Sequence, residues 1–460
     1  MAVIAALAAA ATAFYILIGL GSFRGFNLGM DLGIFDQAVR AYSRLQTPDI
    51  QIKAQGGFNI LGDHFSPIIM LLAPFYRLWP DARMLMCAQG ILFGWSAGFV
   101  GWYAHRRGLG RAAYLVEASF ACSFGVLSAA VFDFHEIAFG LPVLLWALWA
   151  FLERRDAQLI AACAVMCLVK EDMPMYSAGI ALAMLVTGRR LYGLILGAAS
   201  VVVTLLLIFV VIPHFSYTGQ YAYIGSGARG LRSFSGALAT FGLHLTSWQG
   251  ITFILLIAAT AGIGLRRPLM LVVLPTVLFR LMANDTVYLG FRFQYGVLLT
   301  GVVFMALIDS WSWMTEHRTR WADTIKAAQV GLLLLGALGG IFGTQSPVRV
   351  SRLWTMTSVV QQKDAIQAQI PDGANVAADV YLVPQIVDRT TVQIAYKNWL
   401  DETGVPIRAD YVFLDYGTFS YDNYAIPWVD SLVKRLTSPV GGFTVVDHSG
   451  RFILLKRIGT

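Results

Sequence analysis

The stretch HFSPIIMLLAPFYRLWP, residues 64–80, decides the topology of this chain. It is apolar, but it is shorter than the ~20 residues that a helix needs to cross a bilayer, and it contains Pro67 and Pro74. If it crossed the membrane, the basic cluster at 105–111 would lie on the same side as the first loop. If it lies in the interface instead, residues 84–104 form the second span and that cluster is cytoplasmic.

The later loops favour the interfacial position. With 84–104 as the second span, the basic loops that follow all fall on one side, which the positive-inside rule makes the cytoplasmic side. Those loops carry Arg154/Arg155, Arg189/Arg190, Arg266/Arg267 and Arg318/Arg320/Lys326. We therefore predict about eleven spans. Those at 158–170 and 173–187 are short, and one of the two is expected to be broken or tilted. The spans are 3–21, 84–104, 112–131, 136–152, 158–170, 173–187, 191–212, 248–264, 268–283, 286–309 and 327–343.

The composition supports a polytopic membrane protein. Hydrophobic residues make up 57% of the chain and charged residues only 13%, against a usual charged share of about 25%. The net charge of +7 lies in the first 343 residues, which hold 23 Lys and Arg against 16 Asp and Glu. This excess fits basic cytoplasmic loops, so no nucleic-acid partner is expected. All four cysteines lie in apolar runs, which indicates neither a disulfide framework nor a metal motif; they are Cys87, Cys122, Cys163 and Cys167.

The last part of the chain, 344–460, changes character. TVQIAY, DYVFLDY, FTVVD and RFILLK predict short strands, the last two joined as a hairpin, and helices are expected at 355–369 and 426–437. The predicted fold is thus a mainly α membrane domain over 1–343, followed by a small extracytoplasmic α/β domain. The outer loop 22–83 is expected to carry surface helices, one of them near 34–44.

With this topology, ionisable side chains gather at the outer span ends. Such groups are costly in an apolar setting and usually face a water-filled cavity or a partner. We therefore predict an outward-facing catalytic or binding cavity. The side chains on this side are Asp31, Asp36, Asp63, His64, Asp133, His135, Glu136, Lys170, Glu171, Asp172, His214, Arg229, Arg232, Asn284 and Asp285.

Each cluster also has a purely structural interpretation. Asp31 and Asp36 are five residues apart, so a helix would place them on different faces, and Asp31 could simply cap that helix. Asp63 and His64 could mark a helix start, and the acids at 171–172 could form a local ion pair with Lys170. A divalent metal held by Asp, His and Glu is conceivable chemistry, but the spacing matches no metal motif.

Several ordered motifs resemble a known family. They are MDLGIFDQAVR (30–40), GDHFSPIIMLLAPFYRL (62–78), FDFHEIAFGLP (132–142) with LWAFLERR (148–155), LVKED (168–172) and IPDGANVAAD (370–379). Together they resemble a family of bacterial membrane proteins, domain of unknown function 2079. That family is similar to the GT-C glycosyltransferases, polytopic enzymes that take a sugar from a polyprenyl-phosphate donor at the outer face of the cytoplasmic membrane.

The resemblance implies a role for Asp31. In such enzymes an acidic residue soon after the first span serves the acceptor, and a proline-containing surface helix like 64–80 follows that loop. This chain has Leu32 where a second acid is common, which leaves Asp36 as a rival base. The acceptor would be a glycan, lipid or protein of the cell envelope, and the α/β tail would cover the cavity or select that acceptor.

The leaving polyprenyl phosphate needs positive partners, because phosphate is bound by Arg and Lys. Lys170, Arg229, Arg232 and Arg292 are the candidates, with His64 or His135 as hydrogen-bond donors, although Arg229 and Arg232 could instead contact anionic lipid. No Gly-rich nucleotide-binding loop stands out. A transporter or flippase for lipid-linked glycans, or a non-catalytic scaffold, remain alternatives.

Overall fold

The structure is a computed structural model of the 460-residue chain. It describes residues 1–53, 57–223, 233–283, 286–289, 293–317, 322–342, 357–395, 409–417 and 426–459. These segments build a helical bundle and a small mixed sheet. Buried apolar residues of the bundle and of one face of the sheet belong to one continuous core, and a second, smaller cluster lies on the other face of the sheet.

Five of the described helices are long and apolar enough to cross a membrane: Ala2–Arg24, Ala82–Arg106, Arg190–Phe215, Val297–His317 and Ala322–Phe342. A sixth candidate, predicted at 112–131, is broken into Ala112–Ala121 and Phe124–Val131, which meet at 40°. Gly340 packs against this break, where an added Cβ would lie 1.9 Å from the carbonyl oxygen of Cys122. Only glycine fits such a close backbone approach.

The remaining apolar helices of the bundle are shorter. At ~1.5 Å per residue, the 11 residues of Asp156–Met166 cover only about half of a ~30 Å hydrocarbon core. The count of eleven spans and the side on which each loop lies therefore remain predictions. The shorter helices are Ile137–Leu152, Asp156–Met166, Pro174–Val186, Phe234–Thr246, Trp248–Ala261 and Pro268–Met282.

The stretch 64–80 forms a 3-10 helix, Pro67–Leu72, that continues as the α-helix Ala73–Leu78. Its outward side chains are apolar, since Leu71 and Phe75 are 61% and 60% exposed. A short helix with one apolar exposed face suits the membrane interface. The helix Met30–Ser43, which the sequence predicts as the other surface helix, lies beside it and is slightly longer than predicted. Ten of its 14 residues are buried, because the C-terminal part covers it.

Two features of the bundle differ from the prediction. The helix Phe234–Thr246 was not expected; the Ser233 side chain caps it by accepting the N–H of Gly236. The span predicted at 286–309 begins only at Val297, after a separate 3-10 turn at Thr286–Leu289.

The C-terminal part contains a five-stranded mixed sheet. In spatial order its strands are Thr391–Ile394, Asn375–Ala378, Tyr411–Asp415, Phe452–Arg457 and Phe443–Ser449. The first three pair in parallel, and the last two form the predicted antiparallel hairpin. Asn375–Ala378 was not predicted as a strand. The accompanying helices are Thr357–Gln367, Val383–Ile386 and Ile426–Leu436.

The sheet region packs on the surface helix Met30–Ser43. The Arg40 guanidinium donates to the carbonyl oxygens of Val387 and Asp388, at 2.7 and 3.1 Å. A Cβ added to Gly33 would lie 2.6 Å from Val383, so the helix backbone is in direct contact with this region. The helix that carries Asp31 is therefore held between the bundle and the C-terminal part.

Candidate active site

A cavity of about 480 Å³ opens between the surface helix Met30–Ser43 and the ends of several bundle helices. Aromatic side chains form much of its wall, among them Phe132, Tyr176, Tyr221 and Phe293. Ionisable side chains from six separate places in the sequence meet there: Asp31, Lys53, Asp63, His64, His135, Glu136, Lys170, Glu171, Asp172 and Arg280.

Asp31 forms an ion pair with His135. His135 Nε2 lies 3.4 Å from Asp31 Oδ2, and the Asp31 side chain is still 30% exposed. The imidazole stacks on Phe132, and its Nδ1 lies 3.0 Å from the carbonyl oxygen of Asp133, which sets Nδ1–H as the donor and turns Nε2 towards Asp31. Burial alone would raise the pKa of Asp31, but His135, followed by Lys53, holds it below its usual value. Asp31 is therefore ionised at neutral pH.

Asp133 positions Asp31 without lining the cavity. Its carboxylate accepts the backbone N–H groups of Gly29 and Leu32, which would otherwise lack partners at the start of the helix Met30–Ser43. Burial and the neighbouring charge of Asp31 raise the pKa of Asp133 to about 7. The FDFHE motif thus supplies both the partner of Asp31, His135, and the cap of its helix.

A second polar group surrounds Glu171. Its carboxylate is bound by His64 Nδ1 at 2.7 Å, by the backbone N–H of Phe65 at 3.2 Å and by the Tyr221 hydroxyl at 2.9 Å. Burial opposes ionisation, but His64 and Lys170 outweigh it and lower the pKa of Glu171 to about 2. The His64 ring also stacks on Tyr223, with centroids 4.9 Å apart. His64 is thereby fixed at the cavity wall.

Two lysines of the cavity are paired with acids. Lys53 contacts Asp63, and Lys170 Nζ lies 2.6 Å from Glu136 Oε1. Burial would raise the pKa of Asp63, yet His64 and Lys53 bring it down to about 2. Asp172 Oδ1 is buried without a hydrogen-bond partner in the described part of the chain, which leaves an acceptor for a ligand.

Asp36 lies on the other side of the surface helix. It is fully buried, does not line the cavity, and both of its oxygens accept the Tyr76 hydroxyl at 2.9 Å. Burial raises the pKa of Asp36 to about 7. The five-residue spacing thus separates the two acids onto different faces, as the sequence predicted.

Three of the predicted phosphate-binding residues, Arg229, Arg232 and Arg292, lie outside the described residues. Arg280, which was not predicted, lines the cavity and is 8% exposed. It donates through Nη2 to the carbonyl oxygen of Tyr295 at 2.6 Å, while Nη1 has no hydrogen-bond partner within the described segments. The sequence signal that could have identified Arg280 is its position near the end of the apolar run 268–283, where a charged residue usually faces a cavity or a partner.

The described residues contain no group of three or more His, Cys, Asp or Glu side chains placed to hold a metal ion. Four of the acids in the cavity have a cationic or imidazole partner of their own. These acids therefore do not form a site for the divalent metal that the sequence analysis considered.

Fold and cavity together define a polytopic membrane protein with a polar, partly enclosed cavity at one end of its bundle. The chain belongs to the family described as predicted membrane protein (DUF2079), whose profile matches residues 26–434. The family membership inferred from the motifs is thereby confirmed.

The fold is similar to that of a protein of known structure. The crystal structure of ArnT from Cupriavidus metallidurans bound to undecaprenyl phosphate aligns over 98% of both chains, with a TM-score of 0.56. The sequence identity is 11%, so the similarity concerns the fold. It confirms the predicted likeness to the GT-C glycosyltransferases at that level. No curated protein sequence matches this chain.

Proposed function

We propose that this protein is a membrane glycosyltransferase that moves a sugar from a polyprenyl-phosphate donor to an acceptor at the outer face of the cytoplasmic membrane. The observation that carries the proposal is the ionised, partly exposed Asp31 in a cavity rich in polar groups. The ArnT-like fold supports it, because that neighbour was crystallised with a polyprenyl phosphate.

Asp31 is the general base in this proposal. An acceptor hydroxyl in the cavity donates its hydrogen bond to the carboxylate, which takes the proton as the oxygen attacks the anomeric carbon. The bond between that carbon and the phosphate oxygen breaks, and polyprenyl phosphate leaves with the bonding electrons. A positioned base contributes roughly 10² to 10⁴ in rate. His135 orients the carboxylate and keeps it charged, so that the base is ready at neutral pH.

The leaving phosphate is stabilised by cations of the cavity. Arg280 is the best-placed described candidate, because its Nη1 donors are unused and a guanidinium matches phosphate geometry. Lys170 is paired with Glu136, so its positive charge is divided between that carboxylate and the phosphate. Arg229, Arg232 and Arg292 stay candidates from the sequence.

The polar sugar of the donor needs a polar site, whereas its lipid tail needs an apolar environment. A site at the end of the bundle lets the polyprenyl chain stay in the bilayer while the sugar enters the cavity. Unused buried acceptors, Asp172 Oδ1 and Glu136 Oε2, suit the hydroxyl donors of a carbohydrate. The C-terminal sheet region helps to select the acceptor through its contact with the helix of Asp31.

The test uses purified full-length protein in liposomes with a panel of radiolabelled polyprenyl-phosphate monosaccharides and a cell-envelope extract as acceptor. Release of polyprenyl phosphate is measured together with label in the acceptor. We expect wild-type protein to give both products, Asp31→Asn to lose both by at least about 10², and Asp36→Asn to keep them. Circular dichroism and gel filtration verify that the variants fold.

The same liposomes separate the alternatives. A transporter or flippase would move a fluorescent polyprenyl-phosphate lipid between leaflets without releasing polyprenyl phosphate, and a scaffold would do neither. Either result with folded wild-type protein contradicts the proposal. Loss of activity in Asp36→Asn with full activity in Asp31→Asn would move the role of base to Asp36.

A further inference from the structure

A second concave surface runs from the middle of the bundle to the end opposite the cavity. It is a groove of about 510 Å³ between the helices Ala82–Arg106 and Ile137–Leu152. Both helices begin near the cavity, where Gln89 contacts the backbone of Phe132 and Ile137 lines the wall. The groove shares no residue with the cavity and is lined by Trp95, Phe99, Trp102, Pro142, Val143, Trp146 and Trp149.

A row of aromatic rings forms one wall of the groove. Trp95 and Phe99 have centroids 5.3 Å apart, and Phe99 and Trp102 5.4 Å apart. The seven-residue step from Trp95 to Trp102 corresponds to about 10 Å along a helix. Such a wall suits an extended acyl chain.

Each wall ends in an arginine held over an indole. The Arg106 guanidinium lies 5.7 Å from the ring centroid of Trp102, and that of Arg155 lies 5.3 Å from Trp149. Both arginines are exposed, and neither forms an ion pair within the described segments. Arg107 differs, since it lies 3.6 Å from Asp309 and 3.8 Å from Glu153. A cation–π contact leaves the N–H donors of both free arginines available to a phosphate.

We propose that this groove binds one anionic phospholipid, with an acyl chain along the aromatic wall and its phosphate between Arg106 and Arg155. The charge complementarity selects this occupant. An apolar ligand would leave two cations unused, and a zwitterionic lipid carries its own cation beside the phosphate. Basic pockets between helices on the cytoplasmic side are typical sites of anionic head groups, and the sequence predicts that this end of the bundle is cytoplasmic. The site is independent of the proposed glycosyl transfer.

Native mass spectrometry of the full-length protein in mild detergent tests this site, with phosphatidylglycerol and phosphatidylcholine as probes. Wild-type protein is expected to retain one phosphatidylglycerol more tightly than any phosphatidylcholine. Arg106→Gln/Arg155→Gln should weaken that adduct by on the order of tenfold or more, since each basic contact is worth about 1 kcal/mol. The matched control Arg190→Gln/Arg266→Gln removes two exposed charges elsewhere and should leave the adduct unchanged.

Val143→Trp provides a test without a change of charge. It fills the groove, so it should also remove the phosphatidylglycerol adduct while both arginines remain. Equal binding of the two lipids by wild-type protein, an equal loss in the control pair, or an adduct that survives both Val143→Trp and the double arginine variant would overturn the proposal. Because binding is measured directly, these outcomes do not depend on catalytic activity.

Discussion

Asp133 accepts the backbone N–H of Gly29 through both carboxylate oxygens, at 2.9 and 3.1 Å, across 104 residues of chain. This bond joins Gly29, which directly precedes the MDLGIFDQAVR motif, to the FDFHE motif. Because Gly29 precedes the helix that carries Asp31, while His135 follows Asp133 by two residues, the bond sets the distance between Asp31 and its imidazole partner. The geometry of the Asp31–His135 pair is thus fixed by a residue outside the cavity.

Asp133→Ala is expected to lower both stability and transfer activity. The change leaves the N–H groups of Gly29 and Leu32 without their acceptor, and such a loss typically costs about 1–3 kcal/mol. Thermal unfolding in detergent and the transfer assay measure the two effects. Asp133→Asn keeps one carbonyl acceptor and should be affected less. If Asp133→Ala matches wild-type protein in both measurements, the hydrogen bonds of Asp133 to Gly29 and Leu32 have no role in holding Asp31.

Asp36→Asn should change how stability depends on pH. A carboxyl with a folded-state pKa of about 7 binds its proton more tightly in the folded than in the unfolded chain, where the pKa is about 3.9. Its stabilising contribution is complete below about pH 4 and is lost as the pH rises to about 7. We expect this decline to be smaller in Asp36→Asn, as measured by unfolding temperatures across that range. An unchanged profile would contradict the raised pKa.

Glu171→Gln should have the opposite effect. The pKa of Glu171 is lowered to about 2, so the charged group stabilises the fold above its unfolded pKa of about 4.3 and this contribution is lost as the pH falls towards 2. At neutral pH the variant should lose on the order of 2–3 kcal/mol, and its further loss between about pH 5 and 3 should be smaller than in wild-type protein. The same unfolding series measures both variants, and equal slopes in Glu171→Gln and wild type would argue against the His64 pair.

Much of the fold could be predicted because its signals are local. The two prolines and the short apolar run indicated a surface position for 64–80, and alternation of apolar residues indicated the C-terminal hairpin. The break at Cys122 and Ser123 depends instead on the close approach of Gly340 from a distant helix, which no local pattern contains. The strand Asn375–Ala378 consists half of alanine, a residue that is depleted in strands, so it does not stand out in the sequence.

The site was predictable by its position at span ends and by residue type, but its pairings were not. Most of the cavity residues were among the acids and histidines found at the predicted outer ends of the spans. Which acid meets which base depends on the approach of loops about 100 residues apart, as for His64 and Glu171. Lys53 was missed because it lies in an ordinary polar loop, and its role follows only from its contact with Asp63.

Arg280→Gln should weaken use of the donor more than use of the acceptor. The variant removes the unused Nη1 donors proposed to hold the phosphate, and loss of a charged hydrogen bond corresponds to roughly tenfold or more in KM for the donor. Arg280→Lys keeps the positive charge, so its KM for the donor should rise less than that of Arg280→Gln. Arg266→Gln, exposed and away from the cavity, is the control. A rise in KM for the acceptor alone would assign Arg280 to the other substrate.

The sidedness of the bundle can be tested with two single-cysteine variants made in a chain without Cys87, Cys122, Cys163 and Cys167. Gln46 and Ala157 are both exposed, the first just after the helix of Asp31 and the second at the start of the helix Asp156–Met166. The positive-inside rule places Arg154 and Arg155, next to Ala157, in the cytoplasm.

In intact cells a membrane-impermeant maleimide should therefore label Gln46→Cys and spare Ala157→Cys, and permeabilised cells should show both labelled. The proposed function depends on this result, because an extracytoplasmic cavity can receive a lipid-linked sugar but not a soluble cytoplasmic sugar nucleotide. Labelling of Ala157→Cys with protection of Gln46→Cys would show that the cavity faces the cytoplasm. That result would contradict the proposal that the donor is a polyprenyl-phosphate sugar.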